Sequence, residues 1–175
     1  MEGPLVCAIG RLVSVKGFDV LIKALRHTKA QLILVGDGPQ LEMLKDLTLA
    51  LGIESRVHFM GFIGNAGELL KYVDLLVISS YKEGFNYVMA EALVASVPIV
   101  STDVPAPNEI LPKQYLVPCG DFELLGEKIN YALNEKDKVK DEYSDLFSWA
   151  KKTLTVDNMV SETADFLQKV IDNKC

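Results

Sequence analysis

Histidine and cysteine are scarce in this chain of 175 residues, and their scarcity excludes several classes of site. The two histidines, His27 and His58, lie far apart, so a histidine-based metal site is not expected. The three cysteines, Cys7, Cys119 and Cys175, are odd in number and contain no CxxC pair, which excludes a zinc-finger pattern and a disulfide framework. We therefore expect buried or incidental thiols in a reducing compartment and no metal.

Long hydrophobic runs and excess positive charge are also missing. No apolar run approaches the roughly 20 residues that a membrane span requires. The first ten residues, MEGPLVCAIG, lack the basic segment of a secretory signal. The net charge of -6 argues against binding to a nucleic-acid backbone, so an anionic ligand has to meet a local positive patch. We expect a cytoplasmic protein whose single domain spans residues 1–175, with a C-terminal helical extension at 141–175.

Short apolar segments alternate along the chain with amphipathic stretches. The apolar segments, typical of strands buried on both faces, are 5–10, 31–36, 57–61, 75–80, 98–102 and 115–119. The helical patterns between them are 16–28, 38–52, 66–74, 86–96 and 122–136. This order predicts a doubly wound, Rossmann-like α/β fold of three layers around a mainly parallel six-stranded sheet. Residues 137–174 read as a charged connector followed by one or two amphipathic helices, with the segment from about Trp149 packed outside the sheet.

Glycines and charged residues follow the predicted strands. Gly10 and Arg11 come after the first strand, with Lys16 at the start of the next helix, and Glu83 and Gly84 come after the fourth. In such sheets, ligands bind in the crevice at the carboxyl ends of the strands. The sequence therefore predicts a binding site at this edge.

The two glutamates of the segment KEGFNYVMAE, Glu83 and Glu91, are eight residues apart. On one continuous helix they would be about 80° apart around the axis and about 12 Å along it, so they would share a face poorly. The same separation occurs between Glu127 and Glu135 in an ordinary amphipathic pattern. Spacing alone therefore leaves chance open as the explanation.

A different placement brings both glutamates to one ligand. Glu83 then lies in the loop after the fourth strand, Asn86 caps the following helix, and Glu91 lies near its second turn. The backbone amides of residues 85–87 would face anionic oxygens at the helix N-terminus.

Arg11 and Lys16 are candidate phosphate ligands, because arginine offers a forked pair of hydrogen bonds and lysine a movable point charge. The alternative is a solvated loop arginine and a helix-surface lysine. Phe62 and Ile63, after the third strand, could hold a flat base through apolar contacts and backbone hydrogen bonds. They could equally anchor the loop to the core.

An ordered set of motifs resembles a known family. The segments are GRLVSVKGFDVLIKAL, LILVGDGP, VHFMGF, VDLLVISSYKEGFNYVMAEALVASVPIVSTD and NEIL. Over about residues 5–120 they resemble the C-terminal, donor-binding domain of family 4 retaining glycosyltransferases of the GT-B fold. The resemblance implies transfer of a hexose-type sugar from a nucleotide-diphosphate sugar, with a UDP-sugar as the expected donor. The implied acceptor is a glycan, a lipid-linked glycan or another molecule of polysaccharide biosynthesis. No cofactor or metal is implied.

The resemblance also implies roles for individual residues. By that likeness Arg11 and Lys16 bind the diphosphate, and with Glu83, which bonds hydroxyls of the transferred sugar, they form the catalytic set. Glu91 would bind the ribose hydroxyls, and the backbone of Phe62 and Ile63 would recognise the base. The remaining implied donor-binding residues are Gly10 and the segment Gly84, Phe85, Asn86 and Tyr87, whose backbone amides would cover sugar and phosphate.

The sequence departs from the family pattern in two places. Ser96 stands where the family usually has glycine, and residues 105–109 replace a glycine-rich turn, so a phosphate cradle at Glu109 is not expected. GT-B enzymes have two domains, and the resemblance implies that an N-terminal acceptor domain is the partner of this half. The isolated half should then bind donor weakly and transfer nothing. The resemblance also allows the full-length protein to associate with the inner face of a membrane.

Two other functions stay open on the sequence. One is a nucleotide-sugar epimerase of the same fold, although no histidine lies near the predicted site. The other is a nucleotide-binding module without chemistry.

Overall fold

Six parallel strands form one sheet in the structure, a computed structural model that describes residues 3–84 and 86–172. The strands are β1 (Leu5–Ile9), β2 (Gln31–Val35), β3 (Val57–Gly61), β4 (Leu75–Ile78), β5 (Ile99–Thr102) and β6 (Leu116–Val117). Their order across the sheet is β3-β2-β1-β4-β5-β6, and every neighbouring pair is parallel. This confirms the doubly wound α/β fold that the sequence predicts.

Helices cover both faces of the sheet, which explains why its central strands are apolar throughout. The helices are α1 (Phe18–Leu25), α2 (Leu41–Ala50), α3 (Tyr87–Val94), α4 (Pro105–Ile110), α5 (Phe122–Asn134), α6 (Lys136–Thr153) and α7 (Val156–Asp172). Helix α1 contacts both α2 and α5, and α3 contacts both α6 and a 3-10 helix at Ala66–Tyr72. With right-handed crossovers, these two sets lie on opposite faces. Cys7, Leu76 and Ile99 are completely buried between them.

Three local predictions from the sequence differ from the structure. The segment 66–74 forms a 3-10 helix, not an α-helix, and the sixth strand has two residues. The predicted charged connector after residue 136 is the first part of α6. Its buried residues Val139, Tyr143 and Phe147 recur at four-residue spacing, so they form one narrow apolar stripe. The many charges around this stripe hide it in the sequence.

The segment from about Trp149 adds no strand to the described sheet, as the sequence predicts, because it forms the end of α6 and helix α7. Helix α7 exposes the apolar side chains of Phe166, Leu167 and Ile171. Across residues 3–84 and 86–172, no helix has the length and apolar character of a membrane span.

The carboxyl ends of the first three strands are held together through backbone contacts. The amide of Gly10 donates to the carbonyl of Val35 at 2.9 Å, and the amide of Gly36 donates to the carbonyl of Gly61 at 2.8 Å. Gly36 has a φ of 136°, and a Cβ atom there would lie 1.9 Å from the carbonyl oxygen of Gly10. Glycine at position 36 therefore allows two strand ends to approach each other as closely as they do.

We expect Gly36→Ala to lower the free energy of unfolding by about 3 kcal/mol or more, because backbone strain and a backbone clash act together. The matched control is Gly52→Ala, since Gly52 also has a positive φ, of 63°, but a Cβ there meets no described atom within 4 Å. The control should lose about 1–2 kcal/mol from strain alone. Urea denaturation of both variants makes the comparison, and equal losses would show that the close approach has no energetic weight.

Candidate functional site

The sheet has its topological switch point between β1 and β4. These strands are neighbours, yet the chain leaves β1 toward β2 on one side and leaves β4 toward β5 on the other. The two connections therefore separate and leave a crevice at the carboxyl ends of β1 and β4. The loops that follow these strands carry Arg11, Lys16 and Glu83.

Lys16 and Glu83 form an ion pair in this crevice. The Lys16 Nζ lies 2.7 Å from Glu83 Oε1, and the side chains are 25% and 7% exposed, respectively. The hydroxyl of Ser80 donates to the same Oε1 at 2.5 Å. Within the described residues, no hydrogen bond is made to Glu83 Oε2. One carboxylate oxygen is therefore held by the protein, and the other is available to a ligand.

Two hydrogen bonds join the loops after β1 and β4 beside the ion pair of Lys16 and Glu83. The hydroxyl of Ser79 donates to the carbonyl of Lys16 at 2.9 Å, and the amide of Tyr81 donates to the carbonyl of Val15 at 2.8 Å. Gly17 has a φ of 60°, and a Cβ there would lie 2.2 Å from the carbonyl oxygen of Ser79. The absence of a side chain at position 17 thus permits the contact that places Lys16 opposite Glu83.

Buried hydroxyl groups behind the ion pair were missed by the sequence analysis. The hydroxyl of Thr102, at the end of β5, donates to the carbonyl of Ser80 at 2.6 Å. Ser79, Ser80 and Thr102 are all buried. The signal in the sequence is the pair of serines that ends the apolar run LLVISS, a pattern equally typical of the end of a strand.

An apolar pocket of about 380 Å³ opens beside the ion pair. Its lining residues are Ile9, Gly10, Arg11, Val35, Gly36, Asp37, Phe62, Ile63 and Ala66. Phe62 is 82% exposed, so it forms a wall of the pocket and does not anchor its loop. Ile63 packs against the buried residues Cys7 and Val35 and therefore both anchors the loop and lines the pocket.

The pocket and the ion pair adjoin each other at the end of β1. Ile9 lines the pocket and also borders the narrow cleft beside Lys16 and Glu83. The Lys16 side chain passes over Gly10, since its Cε would lie 3.5 Å from a Cβ at that position. Arg11 is exposed at the mouth of the pocket and makes no ion pair with the residues that the structure describes. Two cations thus flank the path from the pocket to Glu83.

Helix α3 begins beside the crevice and carries the second glutamate. The Asn86 side chain accepts a hydrogen bond from the amide of Met89 at 3.1 Å, so it caps the helix as predicted. Glu91 lies on the exposed side of α3, and its Oε2 would be 2.6 Å from a Cβ at Gly67. Glu91 thus approaches the chain at Gly67, directly after Ala66, which lines the apolar pocket.

The other predicted backbone contacts lie at the same end of the sheet. Gly84 and Tyr87 are exposed between the ion pair and the start of α3. Phe85 falls outside the described residues. Within the described part of the chain, no three His, Cys, Asp or Glu side chains are grouped so that they could hold a metal ion.

Comparison with known proteins identifies similar folds and sequences. The model of the family "Glycosyl transferases group 1" matches residues 1–145. The chain is 37% identical over 120 residues to the lipopolysaccharide core biosynthesis glycosyltransferase LpsD of Rhizobium meliloti, a match that covers 66% of this chain and 35% of that protein. It is 38% identical over 118 residues to N-acetyl-alpha-D-glucosaminyl L-malate synthase of Bacillus anthracis, covering 66% of this chain and 31% of that protein.

A solved structure shows the same fold. The crystal structure of HepE from Anabaena in complex with UDP-glucose has a TM-score of 0.88 and 27% sequence identity to this chain. The match covers 94% of this chain and 48% of HepE. The chain thus spans about a third of the length of the curated relatives it matches and about half of this structural neighbour.

Proposed function

Because this chain belongs to the group 1 glycosyl transferases, we propose that its crevice holds a nucleotide-diphosphate sugar as the donor of sugar transfer. The observation that carries the proposal is the succession of the apolar pocket, Arg11, Lys16 and Glu83 at the carboxyl ends of the strands. In space, an apolar surface comes first, two cations follow it, and a hydrogen-bond acceptor comes last. A nucleotide sugar offers the complementary order of base, diphosphate and sugar hydroxyls.

The base occupies the apolar pocket in this proposal. Phe62 and Ile63 supply apolar contact to a flat ring, and the backbone at these residues recognises its polar edge. A UDP-sugar is the expected donor, and the likeness to HepE, which was crystallised with UDP-glucose, supports this choice. Glu91 binds the ribose hydroxyls from the side of α3.

The diphosphate lies between Arg11 and Lys16, so no metal is required to neutralise it. The Arg11 guanidinium can bind two phosphate oxygens at once, and the Lys16 ammonium bridges the phosphate and Glu83. Charge that develops on the leaving diphosphate is stabilised by these two cations, which are in place before the reaction begins. Backbone amides at Gly84, Asn86 and Tyr87 complete the cover of phosphate and sugar. The amide of Gly10 is already bonded to the carbonyl of Val35, so Gly10 contributes only the close approach of a backbone without a side chain.

The transfer retains the configuration of a hexose-type sugar. The bond from the anomeric carbon to the leaving phosphate breaks while the acceptor oxygen bonds to that carbon on the same face. A phosphate oxygen of the leaving nucleotide takes the proton of the acceptor hydroxyl. Glu83 Oε2 accepts hydrogen bonds from hydroxyls of the transferred sugar, so it orients the sugar and is not a general base.

The acceptor is a glycan or a lipid-linked glycan that contacts an N-terminal domain of the same enzyme. The similarity to LpsD, a glycosyltransferase of lipopolysaccharide core biosynthesis, supports an acceptor of this kind. An open half-crevice leaves the donor in contact with water, so the 175-residue chain alone should bind donor without transferring sugar. Peripheral association of the full-length protein with the inner face of a membrane fits the same acceptor.

Calorimetric titration with UDP-, GDP- and ADP-sugars tests the donor site directly. We expect the chain to bind at least one of them, and Arg11→Ala or Lys16→Ala to weaken that binding about tenfold or more, because each removes charged hydrogen bonds to phosphate. Arg26→Ala is the matched control, since Arg26 is also exposed but follows α1 at the opposite end of the sheet. In the intact enzyme, Glu83→Ala should abolish transfer.

Two results would contradict this assignment. One is the failure of every nucleotide sugar to bind, and the other is full activity in all three site variants. Conversion of the bound sugar to its epimer would favour an epimerase. Binding without transfer by the intact protein would favour a module without chemistry.

The placement of Glu91 gives a separate prediction. A methyl group at Gly67 would meet the end of the Glu91 side chain, which can move aside at little cost to stability. Gly67→Ala should therefore leave the melting temperature nearly unchanged while it weakens UDP binding about 3- to 10-fold, by displacing the ribose contact. Gly64→Ala is the control, because a Cβ at Gly64 meets no described atom within 4 Å. Equal UDP affinity in the Gly67→Ala and Gly64→Ala variants would show that Glu91 does not contact the bound nucleotide.

A further inference from the structure

We propose that Ser80 is a positioning residue, whose buried hydroxyl fixes the orientation of the Glu83 carboxylate toward the transferred sugar. The inference rests on the proposed function, because it assigns the sugar hydroxyls to Glu83. It adds a residue that does not itself touch the ligand and that acts through a single hydrogen bond.

The geometry at Glu83 Oε1 carries the first step. Ser80 Oγ lies 2.5 Å from this oxygen, and Lys16 Nζ lies 2.7 Å from it. The two donors come from different loops, after β4 and β1, so together they hold the carboxylate from two directions. With Oε1 held in this way, the position of Oε2 is fixed in the crevice.

The two hydrogen-bond donors, Lys16 and Ser80, respond differently when a diphosphate binds. Lys16 has a long side chain that is 25% exposed, and it must share its ammonium group between phosphate and carboxylate. Ser80 is 2% exposed and has one rotatable bond before its hydroxyl. A short buried side chain loses little further conformational freedom in holding a partner. Ser80 is therefore the hydrogen-bond donor that keeps the Glu83 carboxylate oriented while Lys16 interacts with the phosphate.

Ser80 is itself held in place from behind. Its carbonyl accepts a hydrogen bond from Thr102 Oγ1 at 2.6 Å, and Thr102 is completely buried at the end of β5. The thiol of Cys119 approaches the same carbonyl at 3.7 Å. The position of the Ser80 hydroxyl is thus set by β5 and by the chain after β6. Neither segment contains a residue that is proposed above to contact the nucleotide sugar.

Titrations of the chain with UDP-glucose and with UDP test this role. The informative quantity is the ratio of the dissociation constant for UDP-glucose to that for UDP, because it isolates the contribution of the sugar. Ser80→Ala should raise the ratio about 3- to 10-fold, the effect of one hydrogen bond, and leave the UDP constant within about twofold. In a Glu83→Ala background, where no carboxylate remains to be oriented, Ser80→Ala should leave the ratio unchanged.

Ser101→Ala is the matched control, because Ser101 is completely buried and its hydroxyl donates to the carbonyl of Thr102 at 2.8 Å, away from Glu83. It should not change the ratio, and circular dichroism should show all variants folded. The proposal is overturned if Ser80→Ala leaves the ratio unchanged, if it acts equally in the Glu83→Ala background, or if Ser101→Ala has the same effect. If Glu83→Ala alone leaves the ratio unchanged, the sugar assignment of the proposed function is wrong as well.

Discussion

The ion pair between Lys16 and Glu83 joins two loops that are 67 residues apart in the chain, and the candidate site is organised around it. A carboxylate that is 7% exposed is costly to desolvate unless donors surround it. Lys16 and Ser80 meet that requirement, and they do so because Gly17 allows the loop after β1 to touch the loop after β4. The charge arrangement of the crevice therefore depends on a backbone contact that only glycine permits.

Much of the fold could be predicted from the order of apolar segments, because strands buried on both faces are apolar throughout. The edge of the sheet that carries Arg11, Lys16 and Glu83 followed from strand ends alone. Other features depend on tertiary contacts that periodicity does not report. The stripe of α6 is narrow within a charged sequence, and the Ser80 hydroxyl becomes significant only when the loops after β1 and β4 meet.

Ser96 departs from the family pattern at a position whose backbone conformation suits glycine. It has a φ of 60°, in the left-handed region that glycine adopts without strain. The turn between α3 and β5 therefore has the conformation that the family's glycine would favour. The local cost of placing a side chain there is about 1–2 kcal/mol, and the residue that follows, Val97, is buried in the core.

Phe62, which forms a wall of the apolar pocket, is attached to β3, and β3 pairs only with β2 in the described sheet. Phe62 follows this edge strand, whereas the ion pair rests on the two central strands. Substitutions in the wall can accordingly widen or narrow one end of the crevice without disturbing the charged end. Under the proposed function, a change of nucleobase preference would thus require substitutions only at this periphery, while Arg11, Lys16 and Glu83 stay in place.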